Sequence, residues 1–554
     1  MRVCRRNPLS LRLLRRAAPA AVLASLACAA APALAAGQGT AGGAAPEPAP
    51  VTPPAPPQSS APAQPPAPLE TVTIGLQPSA AGRPVPPRFL GLSFEVGSLE
   101  LVGELATRGN LVKLLRSLGP GMLRFGGITA DQNVAWTDPG APRPAWATST
   151  IGPAQMRQVA RLARRSGWKV LLTVGLAHYE PAAAAREVAS AKAQLGPYLA
   201  AVEIGNEPDA LGRHGYRPTP WGAQTYEEEV STYREAIAAL TPGVAIAGPD
   251  VSGSGAFAEW GTDEALAQAP ALLTGHHYPL GCASKPAPSL ETLLSAPMRG
   301  LEARSLETYL SVARAQGIPL RIDEANSVSC GGVAGVSDTF GSALWATGYV
   351  GQAMAAGVDG LNLHGHPLSC SGYSPLCAPD AAAAASGQLH AQPDWYALLL
   401  ARTLIGDRPL PTTISAVGSP NLAADGFSGP GHTLKLLLSD DDPPGSAPLL
   451  LHVGVGAGLG PGQVLRLTGP SPSATEGVRL GGRAVAADGS WTPPKRTERA
   501  PVSGGVLTVR LAPSSAALVT VAPPRRTCSR KPPRRRGGTA CPRSGAARPA
   551  PPKR

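Results

Sequence analysis

The sequence lacks several features that would point away from an enzyme of the common soluble classes. Beyond residues 1–36, no stretch approaches the ~20 uninterrupted apolar residues that a membrane-spanning helix needs. There is no CxxC pair, and no cysteine pair has zinc-finger spacing to a histidine, so neither a structural zinc nor any other metal or cofactor is expected. No glycine-rich phosphate turn follows the first strand-like run, which argues against a dinucleotide-binding sheet. Acidic residues are missing from residues 1–36 and 523–554, which hold six and eleven Lys or Arg. The formal charge of +12 therefore belongs to the two ends, and residues 37–522 carry a net −5. Nucleic-acid binding needs a basic face on the fold itself, and the body offers none.

What is present divides the 554 residues into parts. Residues 1–36 read as a secretory signal: Arg2, Arg5, Arg6, Arg12, Arg15 and Arg16 precede an apolar stretch, and Ala33-Leu34-Ala35 offers a cleavage site. Pro19 and Pro32 interrupt that stretch, which makes a membrane anchor the weaker reading. Residues 37–68, rich in Ala, Pro, Gly and Gln with Glu47 as the single charge, predict an extended spacer. Residues 523–554 predict an unstructured basic tail, either held to an anionic envelope or glycan or simply solvated. An exported chain with six remaining cysteines can form three disulfides. Short loops suggest Cys370–Cys377 and Cys528–Cys541, leaving Cys282 with Cys330, although sequence alone leaves the connectivity open.

From residue 88 onward, short apolar runs alternate with amphipathic stretches. Strands are expected at 89–95, 122–126, 169–174, 200–205, 244–248, 271–276, 320–324 and 360–364. Helices are expected at 111–118, 154–165, 181–195, 225–240, 301–316, 341–356 and 394–404. Eight such units predict a closed (β/α)8 barrel, the catalytic domain at 69–404, and the uniformly apolar strands suit burial on both faces. After residue 405 the helical pattern stops. Runs at 433–438, 449–453, 463–467 and 506–511, separated by Gly, Pro, Asp and Ser, predict a β-sandwich over 405–522. Segment 71–85 could pair with it through Thr71–Ile74, which alternates polar and apolar.

Barrel chemistry sits at the C-terminal ends of strands. Those ends carry Glu95, the loop residue Asp131, Asn206-Glu207, His276-His277-Tyr278 and Glu324. Two glutamates facing each other across the mouth suit glycoside hydrolysis, in which one carboxyl protonates the leaving oxygen and the other stabilises or attacks the sugar carbon. Any single glutamate at a strand end is more simply an ion-pair partner. Asn206 has the chemistry to bind a sugar 2-hydroxyl. Tyr278 could orient Glu324 or merely pack, and adjacent His276 and His277 point opposite ways on a strand and so make poor joint ligands.

The segments Ile204-Gly-Asn-Glu-Pro-Asp209 and Ile322-Asp-Glu-Ala-Asn-Ser327 resemble the catalytic motifs of glycoside hydrolase family 79, the β-glucuronidases and heparanase-like enzymes. The run Leu123-Arg-Phe-Gly-Gly127, segment 324–338 and the run from Gly357 to His364 resemble the same family, over residues 70–522. The resemblance implies Glu207 as acid/base, Glu324 as nucleophile and retention of configuration. It also implies that a uronate carboxylate is received by backbone amides and a tyrosine, at positions matching Gly331, Gly332, Gly372 and Tyr373; Tyr373 could equally pack on the rim. Ile128-Thr129 departs from the family pattern, where many relatives place Asn. The expectation is a secreted exo-β-glucuronidase whose partner is a carbohydrate bearing terminal β-glucuronic acid or its 4-O-methyl form. The alternatives are a same-clan β-glucosidase or β-xylosidase, and a catalytically silent carbohydrate-binding envelope protein.

Overall fold

The computed structural model describes residues 69–524. The expected signal, the spacer, the basic tail and Cys528–Cys541 lie outside the described residues.

Eight parallel strands close into a barrel: Leu90–Glu95, Met122–Gly126, Lys169–Val174, Leu199–Ile204, Ile246–Val251, Leu272–His277, Leu320–Ala325 and Gly360–His364. Each pairs with its sequence neighbours, and the eighth closes on the first through Leu361 opposite Leu90. Among the described residues no helix is long and apolar enough to cross a membrane. The helix Phe340–Ala356, after the seventh strand, shows how sequence sets position. Thr339 caps its start by accepting from the Ser342 amide, and Gly357 ends it in a left-handed conformation (φ 92°). Thirteen of its 17 residues are buried, so it lies between two layers and shows no polar face.

The second layer is a β-sandwich. A five-stranded sheet runs in the order Thr412–Ala416, Glu70–Leu76, Leu449–Gly454, Val506–Leu511, Val502–Ser503. A seven-stranded sheet includes Leu422–Gly429, Thr433–Asp440, Ser515–Val521 and Gly462–Thr468. The N-terminal strand Glu70–Leu76 thus precedes the barrel in sequence but belongs to the sandwich, parallel to Leu449–Gly454. Strand periodicity connects the domains: Leu436 and Leu438 face the sandwich core, whereas Leu437 joins the core shared with the barrel.

One barrel helix, Ser254–Gln268, is not in the sequence expectation. It carries Gly255 and Gly261 and has little amphipathic pattern, which weakens both helix propensity and periodicity as signals. The strand Leu422–Gly429 was hidden likewise, because Ala423, Ala424, Asp425 and Gly426 are poor strand formers.

Candidate active site

Arg124, on the second barrel strand, is fully buried at the centre of the barrel mouth. A buried guanidinium must be paired, and here the barrel directs acids at it from three other strands. Its Nη1 donates to Glu324 Oε2 at 2.5 Å and its Nη2 to Asp250 Oδ2 at 2.7 Å. Its Nε donates to Glu203 Oε2 at 3.1 Å and lies 2.8 Å from Asp323 Oδ2. Nη2 also donates to Asn206 Oδ1 at 2.9 Å, which turns the amide nitrogen of Asn206 away from the guanidinium.

Glu207 follows the fourth strand in a left-handed conformation (φ 47°) that side chains rarely adopt. Its amide donates to the Asp250 carbonyl at 2.9 Å, and its side chain reaches His276 Nδ1 at 2.9 Å. The other nitrogen of His276 meets Asp250 Oδ1 at 2.8 Å. His276 Nδ1 is also 4.0 Å from Glu324 Oε1, so the facing oxygens of Glu207 and Glu324 are no farther apart than those two distances together. Both carboxylates open on one mouth.

Their surroundings differ. Burial alone would raise the carboxyl of Glu324, but His364, His276, Arg124 and the Tyr278 hydrogen bond outweigh it and hold the group well below the usual carboxylate range. Tyr278 Oη donates to Glu324 Oε1 at 2.8 Å and lies 3.2 Å from Tyr373 Oη. Glu207 is more open, with 28% of its side chain exposed against 9% for Glu324. Burial opposes charge on His276 too, yet Glu324 and Asp250 raise it well above the ordinary imidazole value. Asp323 is raised by burial, then by Asp250 and Glu203, which favours its protonated form and relieves crowding among the acids.

Other residues singled out in the sequence take varied positions. Glu95 accepts from the amide and hydroxyl of Thr129 at 2.9 and 2.6 Å and lies 3.7 Å from His364 Nε2. A Cβ on Gly127 would fall 2.4 Å from the Glu95 carboxylate, and φ there is 73°, so only glycine fits. Asp131, singled out as a loop residue at the barrel mouth and a candidate for substrate contact, is 3% exposed, and both its oxygens are taken by the amides of Leu176, Ala177 and Asn206. It holds two loops of the barrel mouth together, and its effect on Asn206 is through the backbone.

The glycine segments also depart from a simple amide cradle. The Gly332 amide donates to Ser329 O at 3.2 Å and the Tyr373 amide to Gly331 O at 3.1 Å. A Cβ on Gly372 would sit 2.1 Å from Gly331 O, so the glycines allow two loops to touch. Disulfides Cys282–Cys330 and Cys370–Cys377 tie both loops down.

Asp250, His276 and Asp323 offer ligand atoms within 4.8 Å of one another, a spacing that a metal ion could use. The carboxylates already face the Arg124 guanidinium, which supplies the positive charge there, so the donor set does not fit a cation well. His277 points the other way and stacks on Tyr349 at 4.4 Å.

Arg124, Glu203, Asp250, Asp323 and His364 were not singled out from sequence. A signal existed: Arg124 and Glu203 are single charges inside strands otherwise apolar, Asp323 shares its buried strand with Arg321 and Glu324, and such buried charges require mutual pairing.

No protein-family profile matches the chain, and no curated protein sequence matches it. Solved structures do. A 4-O-α-L-rhamnosyl-β-D-glucuronidase from Fusarium oxysporum superposes with TM-score 0.66 at 21% identity, over 82% of this chain and 99% of that one. A family 51 arabinofuranosidase from Xanthomonas axonopodis pv. citri gives 0.58 at 12%, over 82% and 100%. A family 44 xyloglucanase from Paenibacillus polymyxa gives 0.55 at 12%, again over 82% and 100%. The likeness is one of fold. It spans the barrel and the β-sandwich together.

Proposed function

We propose that the protein is a retaining glycoside hydrolase, and specifically a β-glucuronidase. The observation that carries this reading is the pair Glu207 and Glu324, linked through His276 and held in contrasting environments at the mouth of a (β/α)8 barrel. The sum of the two His276 distances falls near the lower end of the roughly 6.5–9.5 Å typical of inverting enzymes and leaves the about 5–5.5 Å of retaining ones within reach.

In this reading, Glu324, kept ionised, attacks the anomeric carbon while Glu207 protonates the glycosidic oxygen. The C–O bond to the aglycone breaks and a glycosyl ester forms on Glu324. Glu207, now a carboxylate, takes a proton from water as that water attacks the same carbon, and Glu324 leaves. Tyr278 and Arg124 hold the nucleophile in place, and Asn206 donates to the 2-hydroxyl. Support for the sugar comes from the sequence resemblance and from a fold shared with a glycosidase whose name includes glucuronidase.

The test is hydrolysis of aryl β-D-glucuronide against aryl β-D-glucoside by wild type, Glu207→Gln and Glu324→Gln. Wild type should prefer the glucuronide, and each substitution should lower kcat by at least about 1,000-fold. Equal or better glucoside turnover rejects the uronate assignment. Full activity of Glu324→Gln rejects the nucleophile.

A further inference from the structure

A uronate in the barrel mouth must find a partner for its carboxylate, and three of the groups first in view, the Arg124 guanidinium and the Gly332 and Tyr373 amides, are engaged elsewhere. Arg124 is fully buried and committed to acids. The Gly332 and Tyr373 amides are used within the loops. What stands beside them is His366, on the loop after the eighth strand. Its ring stacks on Tyr373 at 5.5 Å and 17°, and meets His364 edge-on at 5.4 Å. Tyr373 continues to Tyr278, stacked at 5.7 Å, and Tyr278 to the Glu324 carboxylate. His366 therefore ends an aromatic row that begins at the proposed nucleophile. Its Nε2 faces Gly331, 3.7 Å from where a Cβ there would stand. Among the described residues no hydrogen bond or ion pair engages its ring nitrogens, and the residue is only half-buried.

We infer that His366 reads the carboxylate of the sugar, its ring N–H donating to the uronate while Tyr373 fixes the ring plane. This rests on the glucuronidase reading and names its specificity residue. The groups facing His366 are Glu95, Glu324, His364 and Tyr373. Burial, then His364, lowers the imidazole below its ordinary value, whereas Glu95 and Glu324 act the other way. A bound carboxylate favours the charged ring, and a neutral sugar does not.

The experiment compares kcat and KM for aryl β-D-glucuronide and aryl β-D-glucoside in wild type, His366→Phe and His366→Gln, from pH 5 to pH 8. Phenylalanine keeps the stack on Tyr373 without a donor, and glutamine keeps a donor without a charge. The glucuronide-to-glucoside ratio of kcat/KM should fall about 10- to 100-fold in His366→Phe, chiefly through KM, and less in His366→Gln. In wild type the ratio should decline as pH rises, and that slope should vanish in His366→Phe. A purely structural role would lower both substrates together and keep the slope. If His366→Phe does not fold, the loss of slope and the smaller fall in His366→Gln decide. A ratio and slope unchanged in the variants overturn the inference and leave the glucuronidase standing. A wild type that shows no preference for the glucuronide removes the glucuronidase reading itself, and this is seen without any variant.

Discussion

The barrel and the β-sandwich bury their interiors by opposite means. Inside the sandwich, Val72, Ile74, Leu436, Leu451, Val509 and Val519 meet across two sheets with aliphatic contacts only. Inside the barrel mouth, Arg124, Glu203, Asp250, Asp323 and His276 are all fully buried, a concentration of charge that a stability-driven core would replace with aliphatic residues. The sandwich is built for cohesion. The barrel mouth gives up some cohesion to keep charges fixed in a low-dielectric site, the arrangement that the proposed hydrolysis requires.

The largest effect expected from that contrast comes from Arg124→Met, which leaves four acids without their shared cation. Breaking a buried charge pair costs about 3–5 kcal/mol, so urea unfolding should show a loss of at least that size. Any folded fraction should have lost kcat by at least about 1,000-fold, because Glu324 then lacks a strong hydrogen bond and a stabilising charge. In the sandwich, Leu451→Ala should lower stability by about 2–5 kcal/mol, yet leave kcat and KM within about twofold of wild type below the unfolding temperature. If Leu451→Ala changed KM strongly while the protein stayed folded, the separation of roles between the two interiors would be wrong.

A smaller effect sharpens the comparison within the barrel. Glu187, on the helix Pro181–Leu195, is buried, and desolvation raises its carboxyl to about 8. The folded state thus binds this proton more tightly than the unfolded chain. Its contribution is greatest at acid pH and is lost as pH rises from about 4.5 to about 8. Glu187→Gln removes that dependence, and thermal melts should show a Tm several degrees above wild type at pH 8 and little difference at pH 5. Glu324 has the reverse sign. Its lowered carboxyl contributes stability above the ordinary carboxylate value, and this is lost only as pH falls below it.

The barrel was legible from sequence because its strands are short apolar runs between helices, and five of the expected helices both begin and end within two residues of their expected limits. The placement of Glu207 and Glu324 at one mouth was legible because strand ends are where a barrel presents side chains. The charged interior was harder to see, since Arg124 and Glu203 look like isolated exceptions, and Asp323 like a neighbour of Glu324, until closure brings three distant strands together. Asp131 misled for a related reason. An aspartate in a mouth loop looks exposed, and only the loop's own amides reveal that it faces inward. The glycines after the seventh strand suggested an anion cradle, but two loops packing against each other use the same conformational freedom.

The central claim is that two glutamates serve one sugar ring, with Glu324 as the atom donor to its anomeric carbon. Incubation with a 2-deoxy-2-fluoro-β-D-glucuronosyl fluoride, followed by peptide mass spectrometry, tests it most directly. The account predicts one added sugar per chain, on the peptide containing Glu324, with activity lost in proportion. Labelling on Glu207 or any other residue, or steady turnover of the reagent by an enzyme lacking Glu324, would contradict it.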